Sequence, residues 1–139
     1  MASETEKQAY IDDMARRRGY VLDYHKKMAR HDYDVLMASN QLVEAAYLAE
    51  RRLDRRTKEL LFILSLTVMR AAKGHIQSHI RVALDLGLTP EEILEAIEIA
   101  LPEAGVVAFQ TGFEAWCEVV GADGIEPTVT VHEGGSAST

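Results

Sequence analysis

The run from Leu60 to Met69, LLFILSLTVM, is the longest apolar stretch in the chain and constrains everything around it. Asp54, a helix-capping residue type, precedes it, so the spacing predicts a helix from 55 to about 71, the third in the chain. Apolar residues surround this helix instead of striping it, which predicts that it is the buried central one. Directly after it stand His75 and His79. Residues four apart on a helix lie one above the other, so both imidazoles should point the same way. Glu59 enters the same apolar wall at its N-terminal end, and a carboxylate beside two imidazoles can move protons or hold a cation.

The remaining pattern is helical throughout. Ile11, Met14, Val21, Leu22 and Met28 recur mostly at helical intervals in one helix, 4 to 29, that Gly19 is able to break. Val35, Leu36, Leu42, Val43, Ala46, Tyr47 and Ala49 stripe a second helix from about 32 to 52, capped by Asp32 or Asp34. The fourth runs from about 74 to 86 and ends at Gly87. Thr89-Pro90-Glu91-Glu92 supplies a capping box with proline at the first helical position, opening a fifth helix. Its buried face is expected at Ile93, Leu94, Ile97, Ala100 and Leu101 until Pro102 ends or kinks it. A sixth, about 104 to 120, carries Val107, Phe109, Phe113, Trp116 and Val120. Outside Thr128 to His132 no strand-like alternation reaches four residues, so an all-α fold of about six helices is expected over 1–121. The Gly-, Thr-, Ser- and Pro-containing segment 122–139 reads as an extended or disordered tail.

Charge and cysteine usage narrow the function. A formal charge of −7 argues against binding a phosphate backbone, although 15 basic residues leave room for a local patch that receives an anionic substrate. Cys117 is the single cysteine, which permits neither an internal disulfide nor a metal-thiolate cluster. With no secretory pattern in MASETEKQ and no apolar run near 18 residues, a cytoplasmic protein with no membrane or nucleic-acid partner is expected.

Lys58 to Leu60, His79 followed eight residues later by Gly87, the T-P-E-E-I helix start and the Ala-rich segment ending in Gly105 together resemble the carboxymuconolactone decarboxylase family. This all-helical group also contains the AhpD-type alkylhydroperoxidases, and the resemblance covers about 53 to 113. It implies an AhpD-like helical fold assembled as a homotrimer or homohexamer. The peroxidase branch carries a Cys-x-x-Cys pair whose positions here are Ala72 and His75, and one thiol supplies no resolving partner, so disulfide-based peroxide reduction is not expected. The decarboxylase branch lacks that pair and keeps the histidine.

The resemblance therefore implies a cofactor-independent lyase in aromatic compound catabolism, acting on a small carboxylated lactone or a related cyclic or unsaturated acid. His79 is the expected general acid, with Glu59 orienting it or relaying protons, His75 adding a second imidazole, and Arg70 holding the substrate carboxylate. Two alternatives stand beside this one: a non-catalytic oligomeric scaffold or ligand-binding protein, and a metal-dependent enzyme with Glu59, His75 and His79 as ligands. Phe109, Phe113 and Trp116 read as core or subunit contact, and Cys117 as a buried small apolar residue.

Overall fold

The computed structural model describes residues 1–121, so the tail expected over 122–139 lies outside the described residues. Helices begin where the sequence offers an acceptor to otherwise unpaired amides. Ser3 and Glu6 form a reciprocal capping box at α1 (Glu4–Arg18), and Asp32 caps α3 (Tyr33–Val43). Asp54 accepts from the Thr57 amide at 2.8 Å to open α4 (Arg55–Val68). Thr89, Pro90 and Glu92 open α6 (Pro90–Glu98) as the sequence predicts. The others are α2 (Asp23–His31), α5 (Lys73–Asp85), α7 (Ala100–Ala104) and α8 (Val106–Val120). Every regular element among the described residues is helical, and none is long and apolar enough to cross a membrane.

Among the described residues eight α-helices replace the six expected, because the first and the fifth each divide, and a third departure lies at the end of the second. Gly19 does break the first, adopting φ 89° as the C-cap of α1 and turning the chain into α2. The second ends at Val43 and continues as a π-helical turn, Glu44–Leu48, closed by the Ala49 amide on the Glu44 carbonyl at 2.8 Å. The fifth stops at Glu98, before Pro102, which instead occupies the first turn of α7, where a missing N–H is harmless. The expected burial of Leu101 fails: that residue is exposed, as are Val35, Leu42 and Val107.

Two apolar clusters organise the chain. Ile63 and Leu66 of α4 pack with Ile76, Ile80 and Ala83 of α5, Ile93 and Ile97 of α6, and Ala115 of α8. Ile11, Met14, Ala29 and Leu36 form a second cluster among α1, α2 and α3. Helix α4 is central as predicted, touching α5, α6, α7, α8 and the π turn, but it is not buried all round: Leu61 and Met69 face outward. Phe109, Phe113 and Trp116 stack in sequence along α8. Phe109 and Trp116 lie against the first cluster, and the Trp116 indole N–H donates to the Pro90 carbonyl at 2.9 Å. Cys117, expected to be buried, is only half-buried.

The α4–α8 crossing is tight because Gly112 faces Thr67, which is fully buried and bonded through its hydroxyl to the Ile63 carbonyl. A Cβ at Gly112 would come within 2.7 Å of Thr67 Cγ2. Gly112→Ala should therefore overpack this crossing and destabilise the fold by about 1–3 kcal/mol. Urea unfolding checks this: an unchanged midpoint would mean that the two helices are free to separate.

Candidate functional site

Between the two apolar clusters runs a seam of buried polar side chains. Each is delivered by a helical stripe that turns polar where it meets the other layer. On α1 the buried positions are Ile11, Met14 and then Arg18; α2 buries His25 and Ala29; α3 buries Leu36 and Asn40, and the π turn adds Tyr47. Opposite them, Glu59 on α4 and His79 on α5 are both completely buried. The π turn contributes by register, since its extra residue rotates the positions after it by roughly 100° relative to a continuous α-helix.

Glu59 is the hub. Its Oε1 lies 2.8 Å from His79 Nδ1, while Oε2 accepts from the Tyr47 hydroxyl and from Arg55 Nε at 3.3 Å. Arg55 also donates to the Tyr47 oxygen at 3.0 Å and to the Arg18 carbonyl at 2.6 Å, tying the first layer to the second. Burial pushes the Glu59 carboxyl up from its ordinary range, and the bond and charge of His79 pull it back. With three donors around it the carboxylate form is well solvated by protein, which is the condition for burying a charge.

This arrangement defines the state of His79. An Nδ1–H donated to Glu59 leaves Nε2 as the reactive nitrogen, a lone pair in the neutral ring and a proton donor in the cation. Phe62 stacks on the imidazole at 4.6 Å with planes 7° apart, Tyr20 packs at 4.8 Å and Tyr47 at 6.0 Å. The ring is thus fixed in angle, and Nε2 is buried without a hydrogen-bond partner. An unsatisfied buried polar atom is uncommon, and this one is the ring nitrogen of His79 left able to bond another group. Of the rings around His79, Tyr20, Phe62 and His75 are half-buried.

The structure brings three of the four expected site residues together. His75 places its ring 5.5 Å from that of His79, and burial followed by the His79 charge lowers its pKa. Glu59 bonds only one of the two imidazoles. Arg70 is not part of the cluster: it is exposed beyond the C-terminus of α4, on the order of 16 Å of helix from Glu59. Its φ of 55° fills the left-handed position of a Schellman turn, in which Ala71 N–H reaches the Leu66 carbonyl and Arg70 N–H that of Thr67. The arginines at the seam are Arg18 and Arg55. The metal alternative also fails on geometry, because Glu59 Oε1 is engaged by His79, and among the described residues no three His, Cys, Asp or Glu converge on a cation position.

Sequence reasoning missed Arg18, His25, Asn40 and Tyr47 as site residues. The available signal was a polar residue at helical spacing from buried apolar ones, such as Arg18 after Ile11 and Met14. The model of the carboxymuconolactone decarboxylase family matches residues 33–118, which include Glu59, His75 and His79 but not Arg18 or His25. Among curated proteins, none matches the chain.

His25 supplies a pH test. Burial, Arg18 and His75 lower its pKa from 6.5 to about 4, so the unfolded chain binds this proton more readily than the folded one. The stability contributed by neutral His25 is complete above pH 6.5 and is lost as pH falls towards 4, reaching on the order of 2 to 3 kcal/mol. Urea unfolding across that window should therefore show a steeper acid loss for the parent than for His25→Gln. Parallel pH profiles would show that the folded and unfolded states bind the His25 proton equally.

Proposed function

The chain belongs to the carboxymuconolactone decarboxylase family, and from that premise we propose that it is a lyase removing CO₂ from a small carboxylated lactone or related unsaturated acid. The observation that carries this reading is the buried Glu59–His79 pair with one imidazole nitrogen left unpartnered. In the reaction, the carbon–carboxylate bond breaks and its electron pair enters the conjugated carbonyl, giving a dienolate and CO₂. His79 Nε2 then delivers a proton to carbon and regenerates the carbonyl compound. The conjugated carbonyl is the electron sink, and the step needs no oxidant or reductant.

Glu59 stabilises the imidazolium that donates this proton and holds the ring in the tautomer that exposes Nε2. Phe62 and Tyr47 restrict the ring to one orientation, which reduces the entropy cost of alignment. His75, whose lowered pKa keeps it neutral near pH 7, relays a proton from solvent to recharge His79. Substrate reaches Nε2 by displacing the Tyr20 and His75 side, since His79 has no exposed surface.

His79→Gln and Glu59→Gln should each lower kcat on the order of 10²-fold or more, the usual size for a positioned proton-transfer group. Because the two act as a unit, the double variant should lose little beyond the worse single one. Turnover of carboxylated lactones by the three variants, with circular dichroism as the folding control, provides the measurement. Additive losses would separate the two residues; full activity in folded His79→Gln would mean that another group delivers the proton, and no turnover by the parent would leave a non-catalytic ligand-binding role.

We further propose that the protein works as a homo-oligomer, supported by the exposure of Ile99, Leu101, Val106 and Val107 around α7. Exposed apolar side chains grouped in this way favour association. Val107→Glu should lower the mass seen by light scattering while leaving the helical content unchanged. Retention of the parental mass in that variant would place the subunit contact elsewhere.

A further inference from the structure

Arg18 is a buried cation that makes no ion pair with any described residue: its exposure is 5% and its Nε has no hydrogen-bond partner. One Nη2 proton goes to Asn40 Oδ1 at 2.5 Å. That amide is itself fixed, donating from Nδ2 to the Tyr10 oxygen at 2.9 Å and to Glu44 Oε2 at 2.8 Å. Glu44 is in turn paired with Arg17 at 2.7 Å. The nearby Glu59 carboxylate is occupied by His79, Tyr47 and Arg55. A guanidinium is always charged and costly to bury unpaired; the Asn40 amide and the Tyr20 hydroxyl that bond this one supply no counter-charge, and its Nε is left without an acceptor.

His25 sharpens the point. Its Nδ1 accepts from the Leu22 amide at 3.0 Å, which puts the single proton of the neutral ring on Nε2. That Nε2–H faces Arg18 Nη1 at 3.3 Å, another donor. Two donors cannot bond each other, but they can share one oxygen. The Tyr20 ring joins this pair to His79, lying 5.9 Å from the Arg18 guanidinium carbon and 4.8 Å from the imidazole.

We propose that Arg18 and His25 form a carboxylate-binding subsite, holding the anionic group of the ligand whose reacting carbon meets His79 Nε2. Identifying that carboxylate with the substrate's rests on the lyase reading above. Arg18 Nε and Nη1 take one or both carboxylate oxygens, and His25 Nε2–H takes a remaining lone pair. Asn40 acts as a positioning residue by fixing the guanidinium plane. Arg70, which the sequence offered for this role, is replaced by a residue on the other layer. Because Arg18 and His25 precede the family-matched region, ligand choice is carried by the N-terminal helices and proton transfer by α4 and α5.

The test uses the full chain, ¹⁵N-labelled, titrated with benzoate and with its neutral counterpart benzamide. Benzoate should shift the Arg18 Nε–H resonance saturably and raise the His25 pKa above about 4, while benzamide does neither. The charged and titratable groups facing His25 are Arg18 on α1 and His75 on α5, with Tyr24 alongside on its own helix, so His75 is followed in the same titration. Arg18→Lys, which loses the fork, should weaken benzoate about 10- to 100-fold, and His25→Gln about 10-fold. No saturable benzoate shift, or an equal response to benzamide, overturns the subsite even where Arg18→Lys fails to fold. Benzoate binding without turnover of any lactone keeps the subsite and removes the lyase reading. Turnover whose KM is unmoved by His25→Gln and Arg18→Lys keeps the lyase and removes the subsite.

Discussion

The fold turns on a carboxylate buried where water cannot reach it. Glu59 is tolerable in the interior only because Tyr47, Arg55 and His79 satisfy it together, and those residues come from three different elements. Removing one partner from a buried charge costs about 3–5 kcal/mol, far more than the pairing itself contributes. The π turn, α4 and α5 are consequently locked in register by the same contacts that prepare His79. In the lyase reading, stability and chemistry draw on one set of atoms, and the imidazole nitrogen is the polar atom that this bonding leaves unpartnered.

Apolar surface holds the two layers, but it does not explain their mutual position. The cluster around Ile63 and Ile97 contains no residue of α1 and so does not set where α1 lies against it, whereas the bond from Arg55 to the Arg18 carbonyl does. Gly19 reinforces the placement, because its α-carbon packs so near Val82 that an added Cβ would sit 3.1 Å from that side chain. Polar bonding at the seam therefore fixes a placement that the first apolar cluster does not itself specify.

Helix identity and the Glu59, His75 and His79 grouping are legible in the sequence because they rest on local rules: capping residues, spacing, and a carboxylate on an apolar wall. Features set by tertiary contact are not. Of the apolar residues expected to stripe the second helix, Leu36 and Tyr47 do turn inward, but Val35 and Leu42 are exposed, and the buried stripe is completed by Asn40. Single-sequence periodicity ranks Asn below Leu for burial and so passes over Asn40 in favour of Leu42. Arg70 misleads for the converse reason, because proximity in sequence to the histidines carries no information across a helix end. Its left-handed backbone, where glycine is usual, is visible only in three dimensions.

The π turn at Glu44–Leu48 has a genetic consequence. A turn that holds one surplus residue is sensitive to counting: deletion of a single codon between 44 and 48 would let α3 run on as an ordinary α-helix, keeping composition and hydrophobicity almost intact. Because the lost residue and the lost surplus position cancel, the residues after the turn would keep their angular register, and Tyr47 would stay on the face that meets the carboxylate when the missing codon lies at 44–46. Between two otherwise similar chains, the length of this segment is thus a heritable character that can change by one residue without rotating the residues that follow it, and it is visible in a gap where no substitution has occurred.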